Sequence, residues 1–384
     1  MGHSPEVTSE SGSEEDVAWR RRLRRLARDF AGMRRNLKRR LGILAPLRIA
    51  MYGGYGTARE MRILGRVLEE REGSAPTIDD GPFSNFKRSF RQFESDEVSN
   101  VELEIQMLTA PNARDLERET ARVVTDDDGY FVLRHRFATP VEPGWLPVSA
   151  RATAAPYPVS ELPSAECQVL IPSPHALFGV ISDVDDTILQ TYVQNRARMV
   201  YLTLVHNPLT RLSFDGTMEL YRGLRECGRG APFFYVSKSM WNLFPLLESF
   251  IAHQRLPRGP LLLRQVGLFT PRPSVPHKAH VIRELLELYP QLPFLLIGDS
   301  GERDLQLYLE CARAYPGRVP AILIRNVSPP AQHAALQQAA QRDVPAGCRV
   351  LVFENTQQAI ALCAELGYWA PAPPKTLPPP SRSG

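Results

Sequence analysis

The sequence predicts an α/β protein: a doubly wound parallel-sheet domain in its second half, preceded by a small β-sandwich and an N-terminal amphipathic helix. Three observations carry this expectation. After Pro172, short apolar runs alternate with helical patterns, as in a parallel sheet covered on both faces. Between about residues 47 and 172, strand-like runs are separated by turn signals. From Asp16 to Leu41, apolar residues recur at spacings of three and four opposite an Arg-rich face.

Taken in order, residues 1–46 read as a polar, acidic leader followed by the basic helix. Its apolar stripe is Trp19, Leu23, Leu26, Phe30, Met33, Leu37 and Leu41, and Pro46 bounds it. Eleven Lys or Arg lie between Arg20 and Arg40 against one acid, Asp29, although the whole chain of 384 residues carries only +4. Three readings of this helix stay open: packing on the body, attachment to an anionic membrane surface, or binding of protein or nucleic acid. No nucleic-acid partner is expected for the chain as a whole.

In the β-rich module, 47–172, the expected strands are Arg48 to Gly53, Arg62 to Leu68, Val101 to Leu108, Trp145 to Ala152 and Cys167 to Ile171. Ala121 to Arg136 reads as a hairpin around Thr125-Asp-Asp-Asp-Gly129, since Asp-Gly suits a tight turn. Gly53-Gly54-Tyr55-Gly56 lacks the Lys-Ser or Lys-Thr of a phosphate-binding loop and reads as a turn or β-bulge. In the parallel-sheet domain, 173–368, strands are expected at Phe178 to Ser182, Pro232 to Val236, Pro293 to Ile297, Pro320 to Ile324 and Val350 to Phe353. Residues 369–384 form a Pro-rich tail with no means of building a core.

No apolar run approaches the roughly 18 residues of a membrane span. The N-terminus lacks the layout of a secretory signal. The five cysteines are scattered, which argues against a disulfide framework or zinc site. A cytoplasmic protein is expected, one that can rest on a membrane surface through residues 16–41.

Ligands of an open parallel sheet bind beyond the carboxyl ends of its strands. The residues just past each apolar run are therefore informative. The first run leads into Asp183-Val-Asp185-Asp186-Thr187, the second ends in Ser237, and the third leads into Gly298-Asp299-Ser-Gly-Glu302-Arg-Asp304. Lys278 opens the helix that leads into the third. These types suit phosphoryl transfer. A carboxylate can attack phosphorus, a second carboxyl can protonate the leaving alkoxide, and a hydroxyl and an ammonium can hold phosphate oxygens. Mg²⁺ prefers one or two carboxylates plus waters and phosphate oxygens.

The order and spacing of these residues resemble the four motifs of the haloacid dehalogenase superfamily. The resemblance implies a haloacid dehalogenase-like fold, with Asp183 as nucleophile and Asp185 as general acid/base. Ser237, Lys278 and Thr187 would contact phosphate, and Asp183, Asp185, Asp299 and Asp304 would surround Mg²⁺. More narrowly, Tyr235-Val-Ser-Lys-Ser-Met-Trp241 and Ile297-Gly-Asp-Ser-Gly-Glu-Arg-Asp304 resemble the actin-patch-protein family of phosphatidate phosphatases, as does Met51-Tyr-Gly-Gly-Tyr-Gly-Thr57 upstream. That implies phosphatidate, an anionic membrane lipid, as substrate, hydrolysed to diacylglycerol and phosphate. Met240, Asp215 and Lys238 depart from the family pattern.

Alternatives within the site are few. Ser239 competes with Ser237 for phosphate, and Glu302 with Asp304 for the metal. His277 and His280 read as helix-start or surface residues. Met240-Trp241 and Leu243-Phe244 fit either acyl chains or core packing.

Overall fold

The computed structural model describes residues 46–69, 97–110, 117–156, 159, 161–184, 216–265, 276–301 and 303–371. Among these residues seven strands come first: β1 Leu47–Gly56, β2 Glu60–Glu69, β3 Glu102–Ala110, β4 Glu117–Val124, β5 Tyr130–Arg136, β6 Gly144–Ala154 and β7 Ser164–Ile171. They form one sheet in the order β4-β3-β6-β7-β1-β2-β5. All neighbours are antiparallel except β1 and β7. Alternate residues face a single core, among them Met61 and Ile63, Leu103, Ile105 and Met107, and Val148, Ala150 and Ala152. The edge strands β4 and β5 approach each other, and the His135 imidazole lies 2.7 Å from the Glu119 carboxylate across the gap. The sheet is thus a nearly closed barrel.

The hairpin expected around Thr125 to Gly129 is corrected. The turn forms as expected, with Asp126 Oδ1 accepting from the backbone N–H groups of Asp128 and Tyr130 at 3.0 and 2.8 Å. Its flanks are captured elsewhere. Val101 N–H donates to Thr125 Oγ1 at 3.0 Å, and Val67 N–H donates to the Gly129 carbonyl at 2.8 Å. β4 therefore pairs with β3, and β5 with β2. The glycine run in β1 is a bulge: the register shifts between Met51 and Gly54, and Gly53 has φ +77°.

Six more strands follow among the described residues: β8 Gly179–Asp183, β9 Phe233–Met240, β10 Leu261–Arg264, β11 Phe294–Asp299, β12 Ala321–Arg325 and β13 Arg349–Phe353. Their order is β10-β9-β8-β11-β12-β13, all parallel. Between and after them run helices α1 Thr217–Cys227, α2 Phe244–His253, α3 His277–Leu288, α4 Asp304–Ala314, α5 Pro330–Gln341 and α6 Thr356–Glu365. α1, α2 and α6 share one apolar cluster with the sheet, and α3, α4 and α5 share another. β11 is buried along its whole length, which is why it reads as an unbroken apolar run.

The expected fold class does not describe this chain. A doubly wound, haloacid dehalogenase-like domain preceded by a two-sheet sandwich is replaced by a nearly closed mixed sheet beside a parallel sheet. The sandwich fails because β1 sits between β7 and β2 and joins all seven strands into one sheet. The amphipathic helix at 16–41 lies outside the described residues.

The two sheets meet along a seam. Arg62 of β2 pairs with Glu284 of α3. The Tyr289 hydroxyl donates to the Gly56 carbonyl at 2.9 Å. Tyr52 of β1 stacks on Trp241 with ring centroids 4.6 Å apart.

Candidate active site

β8 and β11 end at one edge of the sheet, and the neighbouring β9 carries Ser237 to that level before running on to Met240. Asp183 is paired with Val236, so Ser237 stands one step beyond it. Ile297 is paired with Ser182, so Asp299 stands one step beyond the level of Asp183 on the other side. The chain leaves β8 toward β9 and β10 on one flank and returns through β11 on the other, the place where parallel sheets open a crevice.

Lys278 completes the cluster from α3. The helix begins at His277 after Pro276, where a proline needs no N–H donor. A cation in a first turn opposes the helix dipole, and Lys278 is only 1% exposed. Its position is made tolerable by two carboxylates. Nζ lies 2.7 Å from Asp183 Oδ2 and donates to Asp304 Oδ1 and Oδ2 at 3.1 and 3.3 Å. Asp304 occupies the first turn of α4, where negative charge is favoured.

Gly298 permits this approach. A Cβ there would stand 2.5 Å from Asp304 Oδ2 and 3.0 Å from the Tyr308 hydroxyl. Tyr308 donates to the Ile297 carbonyl at 3.2 Å. Burial pushes its phenol well above the ordinary range, and the charges of Asp304, Asp183 and Asp299 push the same way, so it stays protonated. Ser237 Oγ accepts the N–H of Ser239 at 2.9 Å. Asp299 Oδ1 accepts the N–H of Gly301 at 2.7 Å.

Five of the residues singled out in the sequence are therefore brought to one edge: Asp183, Ser237, Lys278, Asp299 and Asp304. Asp185, Asp186, Thr187 and Glu302 lie outside the described residues. Asp183 and Asp299 offer hard oxygen donors at neighbouring strand ends, a set that suits Mg²⁺. Both oxygens of Asp304 face Lys278, which fits a supporting role. Among the described residues no group of three His, Cys, Asp or Glu gathers in metal-binding geometry. Further ligands would come from main-chain oxygen, water or substrate.

Residues 178–326 match the family model described as "Phosphatidate phosphatase APP1, catalytic domain". Over these residues the chain is similar to the APP1-type catalytic domain. The APP1-type match begins next to β8 and ends one residue past β12. It holds all five converging residues and leaves the nearly closed sheet outside. The Phosphatidate phosphatase APP1 of Saccharomyces cerevisiae is 35% identical over 41% of this chain and 27% of its own length. An uncharacterized protein of Schizosaccharomyces pombe is 33% identical over 39% of this chain and 25% of its own. The chain thus spans about a quarter of each relative it matches. Among solved structures, one described as "Structure of PhoD" covers 79% of this chain and 70% of its own at 8% identity. Its TM-score of 0.29 is too low to argue from.

The matched segment also holds residues that the motif reading passes over. Arg325 ends β12 beside Asp299 in the ladder. It donates to the Thr217 and Thr356 hydroxyls at 2.9 Å each. Burial lowers its pKa, against the opposing influence of Tyr221 and Asp299. Behind Asp183, the Ser182 hydroxyl is 2.7 Å from that of Tyr221. Arg325 was findable by the rule that found Ser237, because it too follows an apolar run in the sequence. His277 and His280 take helix-start and surface places: His277 Nε2 is 3.2 Å from the Leu262 carbonyl, and His280 faces solvent.

Proposed function

We propose that the chain is a Mg²⁺-dependent phosphatidate phosphatase, cytoplasmic and active at the membrane surface. The observation that best supports this is the buried Lys278 clamped between Asp183 and Asp304 at the strand edge that also carries Ser237 and Asp299. Asp183 would attack phosphorus while the bond from phosphorus to the glycerol oxygen breaks. The leaving alkoxide would take a proton from Asp185. Water, relieved of a proton by Asp185, would then attack the aspartyl phosphate, releasing phosphate and restoring the Asp183 carboxylate. Ser237, Lys278 and Thr187 would hold the non-bridging oxygens through both steps. Mg²⁺, held by Asp183 and Asp299 with Asp185 and Asp304 as further candidates, supplies charge neutralisation between nucleophile and phosphate.

Among the described residues no helix is long and apolar enough to cross a membrane. Contact with the bilayer is assigned to the Arg-rich residues 16–41. Each basic residue near an anionic surface contributes on the order of 1 kcal/mol before screening. Deleting residues 1–42 is expected to reduce sedimentation with anionic vesicles while sparing hydrolysis of a soluble ester. Equal sedimentation of the two forms would remove the assignment.

Phosphate release from phosphatidate vesicles and from a soluble monoester, with Mg²⁺ and with chelator, tests the activity. Preference for vesicles and loss of release with chelator are expected. Better turnover of the soluble ester would make the substrate another phosphate ester. No release from either would leave a lipid-binding scaffold.

A further inference from the structure

We infer that the seam between the two sheets is an acyl-chain site serving the catalytic edge. This rests on the phosphatase reading above, and deepens it by saying where the apolar part of the substrate lies.

A pocket of about 260 Å³ opens between β1 and β2 on one side and β10 and α3 on the other. Its apolar lining is Tyr52, Leu64, Trp241, Leu261, Leu263 and Val281. β10 runs parallel to β8 and β9, so its last residues point toward the same edge as Asp183. His277, adjacent in sequence to Lys278, lines the pocket there, as do Arg264 and Gln265. Ser237 and Lys278 do not themselves line the pocket, but its end at Arg264, Gln265 and His277 lies on the same edge of the sheet. At its other end it shares Tyr52, Gly53, Pro260 and Leu261 with a cleft of about 1000 Å³ between β6, β7 and α2. The two cavities thus adjoin along the seam, the smaller serving as the proposed channel.

The chemistry of the lining selects a linear apolar tail. Trp241 and Tyr52 are mutually stacked and set a firm wall. The Arg62–Glu284 pair lines the same pocket on its polar side. An apolar body with a few polar groups at one end is the usual form of a ligand pocket. One end carries Arg264, Gln265 and His277 on the side of the catalytic edge and the wall beyond presents hydrocarbon, which matches a phosphate monoester carrying an alkyl or acyl chain. A small polar ester would leave the channel to water.

Binding of linear alkylphosphonates of four to ten carbons, measured by calorimetry below their aggregation limits, tests this without requiring turnover. Each buried methylene tightens binding by up to about fourfold, so at least a tenfold fall in Kd from butyl to octyl is expected. Leu64→Trp, which fills the channel, is expected to flatten that dependence. His280→Trp, at the exposed mouth, provides the same test should Leu64→Trp fail to fold. A Kd independent of chain length overturns the inference. So does a chain-length gain that survives in a folded filling variant, since the tail would then lie elsewhere. Phosphate release by the wild type is scored separately, so loss of the catalytic reading and loss of the channel give different results.

Discussion

Lys278 is the residue on which the site's electrostatics turn. Its side chain and those of Asp183 and Asp304 are 1–2% exposed, so three charges share a space that water barely reaches. Removing one partner of such a set leaves an uncompensated buried charge, at a cost of about 3 kcal/mol or more. Lys278→Met is accordingly expected to lower the unfolding free energy from urea titration by that amount. The double variant Lys278→Met/Asp304→Asn is expected to recover part of it, because one of the stranded acids is then neutral. A single variant as stable as wild type would mean that the ammonium does not hold the two acids together. The residues of this edge were legible in the sequence for a plain reason. Asp183, Ser237 and Asp299 each come just after an apolar run in the sequence, where a polar residue is conspicuous. Tyr308 was not, because it sits inside a helical pattern and acts through a backbone carbonyl.

At the level of elements, strands were easier to see than their partners. β4 and β5 are consecutive and joined by a tight turn, yet they end as opposite edges of one sheet. Local alternation marks a strand's two faces but carries no record of its neighbours, so a sandwich was expected where a nearly closed barrel forms. β10 has only four residues, too few for a period. α5 buries only Ala340, so no apolar stripe betrays it. α6 did carry a signal: Asn355 and Gln358 form a capping box. The joint between barrel and sheet depends on Arg62 and Glu284, whose side chains are 29% and 19% exposed. Burial alone would raise the Glu284 pKa, but the charge and hydrogen bond of Arg62 outweigh it and hold it below 4.5. A carboxylate with a depressed folded-state pKa stabilises the fold above its unfolded value and loses that contribution as pH falls through the folded one. Glu284→Gln is therefore expected to cost about 1 kcal/mol at neutral pH. In denaturation series, that difference from wild type should shrink below pH 4.5. A gap that stays constant with pH would place its origin in packing instead.

For the whole molecule, the division of labour comes from where the two sheets touch. The parallel sheet gathers the charged groups at one edge, and the nearly closed sheet supplies one wall of the seam that leads away from them. Asp183 at the end of β8 stands at the centre of the proposed chemistry, and its phosphorylated form is the species on which the mechanism depends. The most direct measurement is to quench the enzyme during turnover of phosphatidate with Mg²⁺, reduce with borohydride and sequence the peptides by mass spectrometry. Reduction of an aspartyl phosphate leaves homoserine. The account predicts homoserine at position 183, absent when Mg²⁺ is chelated and absent from Asp183→Asn, which should itself release phosphate at least about 1,000-fold more slowly. Full phosphate release by Asp183→Asn, or homoserine at another aspartate, would contradict it.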